Sequence, residues 1–327
     1  MRFTLREPYA PFLDYTTIGI LPAHILRSVE PGHLLESDFN GSPIGTGPFK
    51  VEKVNVQSIA LAPYAGYYGA KPYLERLEFR FYPDTPSVFE GRKRGEVQGI
   101  SRVLPEYLDV VRQDQDLSLY TGPLAGYNLV ILNLDRPMFQ GADVRRAMMY
   151  ALDRQALVDK VLDGQGIVIH SPILSYSWAY DPNVFKYTYD PAKARQILDD
   201  AGWYDQDGDG IREQGDFKLE FALVTNDDDP VRIALVEAIS AQLRTVGIRA
   251  NPTFVPWDVL VSEQLRLRRF DAVLTGWQNL PADPDPYPYW HSSQATEDGL
   301  NFAGYVSEDS DRVLAAARLT TNEDERA

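Results

Sequence analysis

The stretch that decides the fold is Tyr127–Leu162, YNLVILNLDRPMFQGADVRRAMMYALDRQALVDKVL. Its first part, Tyr127–Asn133, is an apolar run of strand length without the alternation of a half-exposed strand, and it predicts a central strand of a covered sheet. Asp143 is then predicted to cap a helix with apolar residues at helical spacing, and Asp153 to cap a second helix that Gly164 ends. A strand followed by helices that cover it is the unit of an α/β fold.

The second half of the chain repeats this alternation. Strands are predicted at Leu219–Val224, Ile248–Phe254 and Phe270–Leu274, with helices beginning near Pro230 and Trp257 between them. Strands separated by helices form a mostly parallel sheet that is covered on both faces, and ligands bind beyond the carboxyl ends of such strands. The residues at that position after the third strand are Gly276, Trp277, Gln278 and Asn279.

Length and composition limit the classes of protein that this sequence can encode. The 327 residues predict two lobes, and 44% hydrophobic residues allow packed cores. A net charge of −15 argues against nucleic acid as a partner, because phosphate binding needs clustered lysine and arginine. The lack of cysteine excludes disulfides, thiol catalysis and cysteine-ligated zinc. No apolar run is long enough to span a bilayer, and the first residues lack the apolar core of a secretory signal.

An acidic loop at residues 205–216, DQDGDGIREQGD, matches the pattern of a calcium-binding loop. Its first, third and fifth positions hold aspartates, and the glycine at the sixth allows the sharp turn that brings several oxygen ligands together. The predicted ligands of a structural calcium ion are Asp205, Asp207, Asp209, Ile211 and Asp216. Because the last position is not glutamate and a strand follows, a metal-free turn capped by its own aspartates remains the alternative.

Two carboxylates, Asp283 and Asp285, lie in the proline-rich segment LPADPDPY. Glycoside hydrolysis needs a pair of carboxyl groups, one protonated and one charged. Residues two apart in an extended segment point in opposite directions, which favours a rigid polar turn over a catalytic pair.

Residues 170–191, HSPILSYSWAYDPNVFKYTYDP, are rich in aromatic rings and proline. This composition predicts an ordered loop whose rings either form a small cluster of their own or stack against a ligand. The rings assigned to ligand stacking are those of Tyr176 and Trp178.

Five motifs follow one another along nearly the whole chain: GSPIGTGPFKVEKV, YAGYYGAKPYLERLEFRFYPD, YNLVILNLDRPMFQGADVRRAMMYALDRQALVDKVLDGQG, YDPAKARQILDDAGWYDQDGDGIRE and FDAVLTGWQNLPADPDP. Together they resemble the extracellular solute-binding proteins of ATP-binding-cassette importers, in the peptide, nickel and oligosaccharide class known as family 5. The resemblance implies a two-lobed α/β protein of the type II periplasmic-binding-protein architecture. It assigns residues 1–124 to part of the first lobe and 125–327 to most of the second, with a hinge near 121–128. An internal fragment that lacks both ends of a longer protein is expected.

The resemblance also implies a function. The expected protein is a monomer that captures an oligopeptide or oligosaccharide and delivers it to a membrane permease without catalysis. Its expected location is the periplasm or the cell exterior, with a lipoprotein anchor as one form of attachment. A glycan-acting enzyme and a ligand sensor domain are the alternatives.

The family's binding residues are carried over only where this sequence matches. The aromatic residues that line the cleft in the family match Trp257 and Trp277. In peptide-binding relatives an acidic residue after the Gly-Trp pair holds the amino group of the peptide; here that position is about Leu280, and Asp283 and Asp285 follow. Without that fixed counter-charge, a sugar or an apolar ligand is as well suited as a peptide.

Overall fold

The computed structural model of the protein describes residues 2–326. The helices are α1 Phe12–Tyr15, α2 Ala23–Leu26, α3 Thr85–Lys93, α4 Leu108–Gln113, α5 Pro137–Gln140, α6 Ala142–Ala151, α7 Arg154–Val161, α8 Pro191–Asp200, α9 Pro230–Arg244, α10 Trp257–Val259, α11 Tyr287–Trp290, α12 Glu308–Leu319 and α13 Glu323–Arg326. Single 3-10 turns lie at Pro31–Glu36, Asp38–Gly41, Pro105–Tyr107 and Ser292–Gln294, and a π-helical turn at Leu260–Leu265 continues α10.

The strands are β1 Phe49–Val54, β2 Ser58–Pro63, β3 Leu77–Arg80, β4 Gly126–Leu132, β5 Glu213–Gln214, β6 Phe217–Lys218, β7 Glu220–Asn226, β8 Arg249–Val255 and β9 Ala272–Gln278. They form a three-stranded sheet, a four-stranded sheet and a two-stranded sheet. The chain divides into two compact units, of which the smaller is Ile18–Leu108 and the larger comprises the segments before and after it. The lobe boundary expected at 124/125 and the hinge near 121–128 remain predictions.

The smaller unit is built on the antiparallel sheet β1-β2-β3. The Asp84 side chain accepts a hydrogen bond from the Ser87 backbone N–H and so caps α3, as the sequence predicts. The buried ring of Phe89 on α3 stacks on Tyr107 at a centroid distance of 5.1 Å.

The larger unit is built on the four-stranded sheet, whose strand order is β4-β9-β7-β8. β7 pairs in parallel with both β8 and β9, which confirms the mostly parallel sheet predicted from the second half of the chain. β4 pairs antiparallel with β9 along its whole length, with Tyr127 opposite Trp277. The carboxyl ends of the three parallel strands and the amino end of β4 therefore lie at the same edge.

Apolar clusters cover both faces of this sheet. Phe221 and Leu223 of β7 pack into one cluster with residues of α6, α8 and α9, and Val224 packs into the other with Leu260 and Phe302. The packing of β4 explains why its sequence does not alternate. Val130 and Leu132 pack against the first cluster. Leu129 and Ile131 point to the other face and pack against the second. Because both faces are covered there, residues 129–132 form a continuous apolar run, whereas Asn128 nearer the start of the strand is exposed.

The prediction that Tyr127–Asn133 is a central strand was wrong. β4 lies at the edge of the four-stranded sheet and is the strand that runs antiparallel. Burial of the two faces makes a strand continuously apolar whether or not both of its edges are paired, so this pattern cannot distinguish an edge strand from a central one.

The helix starts predicted at aspartates are confirmed where the side chain caps the helix. Asp153, Asp190 and Asp229 accept hydrogen bonds from backbone N–H groups of the first turns of α7, α8 and α9. Asp143 does not cap α6, which begins one residue earlier at Ala142 and leaves the aspartate in its first turn. Among residues 2–326, no helix has both the length and the apolar character needed to cross a membrane.

Phe139→Ala is expected to lower the free energy of unfolding by roughly 3–5 kcal/mol, because it leaves a cavity in the core. Phe139 is 0% exposed, and its ring packs edge-on against Phe221 at 5.0 Å. Urea unfolding measures the effect, and Phe217→Ala is the control because that ring is 68% exposed. Equal losses of stability in the two variants would contradict this assignment of the core.

Candidate functional site

The carboxyl edge of the four-stranded sheet carries several of the predicted ligand-binding residues. Gly276 and Trp277 are half-buried near the end of β9, and Gln278 and Asn279 are exposed. A Cβ atom on Gly276 would lie 2.7 Å from both the side-chain oxygen of Asn128 and the backbone oxygen of Tyr127. Glycine is therefore required here, because β9 and β4 approach each other too closely for any side chain.

The two tryptophans predicted to line a ligand site have different environments. Trp277 stacks on Phe302 at a centroid distance of 5.6 Å and contacts the ring of Tyr289 at 4.4 Å, so it packs between the core and a surface ring. Trp257 is 46% exposed and lies beside the guanidinium of Arg232, 5.7 Å from the ring centroid.

Arg232 is itself 7% exposed and donates a hydrogen bond of 2.9 Å to the Asn226 side chain at the end of β7. The Trp257 ring thus lies beside the Arg232 guanidinium, whose position is fixed by its hydrogen bond to Asn226 at the end of β7.

A cavity of about 460 Å³ opens beside this edge, within the larger unit. Its walls are the start of β4, the loop that follows residue 170, the segment after β9 and helix α11. The residues that line it are Ala125, Tyr127, Pro172, Ile173, Leu174, Tyr176, Ser177, Trp178, Leu280, Pro281, Ala282, Pro284, Asp285, Pro286, Tyr289 and Trp290. Five aromatic rings among them give the walls a mainly apolar character with a few polar groups, which is typical of ligand sites.

The cavity brings together three of the residues predicted from the sequence, Tyr176, Trp178 and Asp285. It does not include the others, which lie along the sheet edge or behind the cavity wall: Trp257, Gly276, Trp277, Gln278, Asn279 and Asp283. Their role in ligand binding stays a prediction. Trp277 is connected to the cavity only through its contact with Tyr289, which is part of the wall.

Two tyrosine hydroxyls in the cavity wall stay protonated at neutral pH. Burial raises the pKa of Tyr127 to about 12. It also raises the pKa of Tyr289, with smaller contributions from the nearby Tyr15 and Asp285. The indole Nε1–H of Trp290 is buried and has no hydrogen-bond partner within residues 2–326. Because the nitrogen is buried, this donor does not open onto the cavity, and a buried donor without a partner costs about 1–3 kcal/mol.

Both carboxylates of the Asp-Pro-Asp-Pro segment bind arginines from the last two helices. Asp285 accepts hydrogen bonds from Nε and Nη2 of Arg318, the shortest at 2.6 Å. Asp283 accepts from Nη1 and Nη2 of Arg326 at 2.9 and 2.6 Å. Neither carboxylate is free in this arrangement, and each points to a different arginine, in agreement with the rigid polar turn favoured by the sequence.

The acidic loop forms a compact carboxylate cluster. Ligand oxygens of Asp205, Asp207, Asp209 and Glu213 all lie within 4.8 Å of one another. Asp216, predicted as the closing ligand, does not belong to this cluster, and Glu213 takes part instead. The reason is that Glu213 begins the two-stranded sheet and turns inward, where it is 7% exposed.

The ammonium group of Lys218 lies among the same oxygens. Its Nζ donates to Asp207 at 2.9 Å and Asp209 at 2.7 Å, and it lies 3.4 Å from Oε1 of Glu213. These hydrogen bonds raise the pKa of Lys218 and lower the pKa values of Asp207 and Asp209. The oxygen donors suit calcium, but a metal ion and the lysine would compete for them.

The candidate binding residues predicted from the sequence do not include Tyr127, Tyr289, Trp290, Arg318 and Arg326. The YPYW motif directly after the Asp-Pro-Asp-Pro segment was a usable signal for the two aromatic residues of α11. The arginines gave no such signal, because they lie 33 and 43 residues from their aspartates.

Comparisons with known proteins agree over most of the chain. A family model described as "Bacterial extracellular solute-binding proteins, family 5 Middle" matches residues 1–299. The oligopeptide-binding protein AppA of Bacillus subtilis (strain 168) is 34% identical over 316 residues, which are 95% of this chain and 57% of that relative. The chain thus spans a little over half the length of this relative.

Solved structures support the same likeness. AppA from Bacillus subtilis in complex with a nonapeptide superposes with a TM-score of 0.80 at 32% identity, covering 99% of this chain and 65% of that one. NikZ from Campylobacter jejuni in complex with Ni(L-His) gives a TM-score of 0.81 at 29% identity, covering 99% and 64%. The predicted α/β fold of the two-lobed periplasmic-binding-protein type is confirmed.

Tyr127→Phe is expected to reduce the loss of stability between about pH 10 and 12. The pKa of Tyr127 is raised to about 12 in the folded protein, whereas an unfolded chain has the ordinary tyrosine pKa of about 10. The neutral phenol therefore favours the folded state below about pH 10. This contribution to stability is lost as the pH rises from about 10 to 12. Thermal melts across this pH range measure the effect. Tyr73→Phe is the control, because it removes one hydroxyl from a ring that is fully exposed. An unchanged pH dependence in Tyr127→Phe would contradict the burial of this hydroxyl.

Proposed function

Because this chain belongs to the bacterial extracellular solute-binding proteins, family 5, we propose that it is the solute-binding component of an ATP-binding-cassette importer. It captures an oligopeptide or an oligosaccharide outside the cytoplasm and delivers it to a membrane permease, without catalysing a reaction. The protein works as a monomer in the periplasm or at the cell exterior, where a lipoprotein anchor would keep it near the permease.

The observation that carries this proposal is the aromatic cavity beside the carboxyl edge of the four-stranded sheet. A volume of about 460 Å³ lies within the usual range of ligand cavities, and flat rings offer large contact area to a side chain or a sugar face. The relatives support peptides in particular, since AppA is an oligopeptide-binding protein and was solved with a nonapeptide. NikZ was solved with Ni(L-His), which is a much smaller ligand.

The glycan-acting enzyme has less support. Its two carboxyl groups would have to flank one glycosidic bond, whereas Asp283 and Asp285 each bind a separate arginine. A ligand sensor would have the same fold and the same cavity, so only its protein partner would distinguish it from an importer component.

The proposal predicts saturable binding of either oligopeptides or oligosaccharides, measured by isothermal titration calorimetry on the full chain. Trp290→Phe should weaken that binding roughly fivefold, because the smaller ring gives up about 1 kcal/mol of contact in the cavity wall. Trp257→Phe is the companion variant, since its exposed ring lies outside the cavity.

The two variants separate the candidate sites. Weaker binding in Trp257→Phe, with binding unchanged in Trp290→Phe, would move the ligand from the cavity to the sheet edge. A folded chain that binds no member of either ligand class would contradict the proposed function.

For the acidic loop we propose that calcium binds in competition with the Lys218 ammonium. The support is the buried Oε1 of Glu213, which faces the aspartates and has no hydrogen-bond partner within the described part of the chain. A metal ion would satisfy this oxygen together with Asp205, Asp207 and Asp209, and the backbone oxygen of Ile211 is the remaining candidate ligand.

Lys218→Met is expected to tighten calcium binding, because it removes the competing cation. Its melting temperature should rise with added calcium and fall with chelator, by more than in the wild type. Lys93→Met is the control, since Lys93 forms an exposed ion pair with Glu90 elsewhere in the chain. A wild-type chain that responds to calcium as strongly as Lys218→Met would show that the lysine does not compete.

A further inference from the structure

We propose that the cavity accepts an uncharged group of the ligand and excludes an ammonium group, because Arg318 neutralises the carboxylate in its wall. This inference rests on the proposed function, since it names the chemistry of the ligand at the same cavity. For an oligopeptide it means that an internal residue or a blocked end occupies the cavity, and not a free amino terminus. For an oligosaccharide it means a neutral sugar.

Asp285 is the only charged side chain among the described residues that line the cavity. It is the one group there that could hold an ammonium group, but its side chain is 5% exposed and its oxygens are already used. Nε of Arg318 lies 2.9 and 3.2 Å from the two carboxylate oxygens, and Nη2 lies 2.6 Å from Oδ2. The pair is therefore neutral as a whole, with the paired geometry of a strong arginine–carboxylate contact.

Contacts with two aromatic rings and a backbone hydrogen bond fix the position of Arg318. Its guanidinium lies 3.8 Å from the ring centroid of Tyr287 and 5.6 Å from that of Tyr9. Its backbone oxygen accepts a hydrogen bond of 2.8 Å from the N–H of Ala10. The side chain is only 20% exposed. An ammonium group in the cavity would thus meet a fixed positive charge behind the only carboxylate.

The neighbouring carboxylate is neutralised in the same way. The Arg326 side chain is 6% exposed and binds Asp283 through two nitrogens. The same guanidinium lies 5.1 Å from the ring centroid of Trp178, which is part of the cavity wall. A second positive charge therefore lies behind the wall, and Asp283 is not available as a replacement for Asp285.

The aromatic rings act in the opposite direction, since they attract cations through their faces. That attraction amounts to about 0.5–2 kcal/mol. Taking an unpaired ammonium out of water costs several kcal/mol, which is the larger effect. The hydroxyls of Tyr127 and Tyr289, which line the cavity, suit a neutral group with an acceptor oxygen.

Two probes of equal size test this inference directly on the full chain: benzyl alcohol, which is neutral, and benzylamine, which is charged at pH 7. Ligand-observed NMR titration of the wild type should show benzyl alcohol binding at least about tenfold more tightly, and Trp290→Phe should weaken it. Arg318→Gln frees Asp285 and should reverse the preference. The double variant Asp285→Asn/Arg318→Gln, which has neither charge, should again prefer the alcohol.

Arg312→Gln is the matched control, because Arg312 lies on the same helix but is 74% exposed and pairs with the exposed Asp309. It should leave both affinities unchanged. A wild-type chain that binds benzylamine as well as benzyl alcohol, or that binds neither, overturns the inference, and this holds even if Arg318→Gln fails to fold. The titration with oligopeptides and oligosaccharides tests the proposed function separately. Oligomer binding without the expected probe preference leaves the function in place and removes this inference.

Discussion

Burial of the four-stranded sheet on both faces is the constraint on which the rest of the larger unit depends. Its strands supply side chains to two apolar clusters, so residues 129–132, 221–224 and 272–274 are continuously apolar. Polar and aromatic groups that could meet a ligand are consequently confined to the ends of the strands. Parallel pairing of β7 with β8 and β9 places three of those ends at one edge. The location of the site therefore follows from how the core is built.

The segment after β9 forms part of the cavity wall, although burial of its aspartates costs free energy. Its prolines restrict the backbone, and its aspartates are carried into a poorly solvated region. A carboxylate as buried as Asp285 is stable only with a partner, and a bidentate arginine is the partner that satisfies both oxygens. Removing one member of such a pair destabilises a protein more than removing both. Helices α12 and α13 are thus required for the shape of the cavity, although neither α13 nor its Arg326 lines it.

Local features of this fold could be predicted from the sequence, and non-local ones could not. The caps at Asp153, Asp190 and Asp229 were predictable because a cap involves residues two or three positions apart. The edge position of β4 was not, because strand order depends on partners far along the chain. The same limit applies to the candidate site. Tyr176, Trp178 and Asp285 line the cavity, and their role in binding a ligand stays a prediction. Arg318 and Arg326 bind the two aspartates from far along the chain, and local sequence patterns could not indicate those pairs.

The acidic loop shows the same limit at short range. Asp205, Asp207 and Asp209 come together in one carboxylate cluster, because a repeat of aspartates around glycines specifies one tight turn. Asp216 lies outside the cluster, because the loop is followed by the hairpin β5-β6 and not by a helix. Whether the cluster binds a metal stays a prediction. In that hairpin Glu213 pairs with Lys218, which brings both side chains to the carboxylate cluster. The element that follows a motif therefore determines which residue completes it.

Net charge and cavity charge act on a ligand at different distances. At −15 the protein attracts cations in general, but salt screens this attraction over about 8–10 Å. Inside the cavity the nearest charges are Asp285 and Arg318, whose effects nearly cancel for a ligand that contacts the wall. A cationic peptide would then be drawn toward the protein and yet gain nothing from its charge on entering the cavity. If the proposed function holds, discrimination between ligands would depend on contacts with the aromatic rings of the wall.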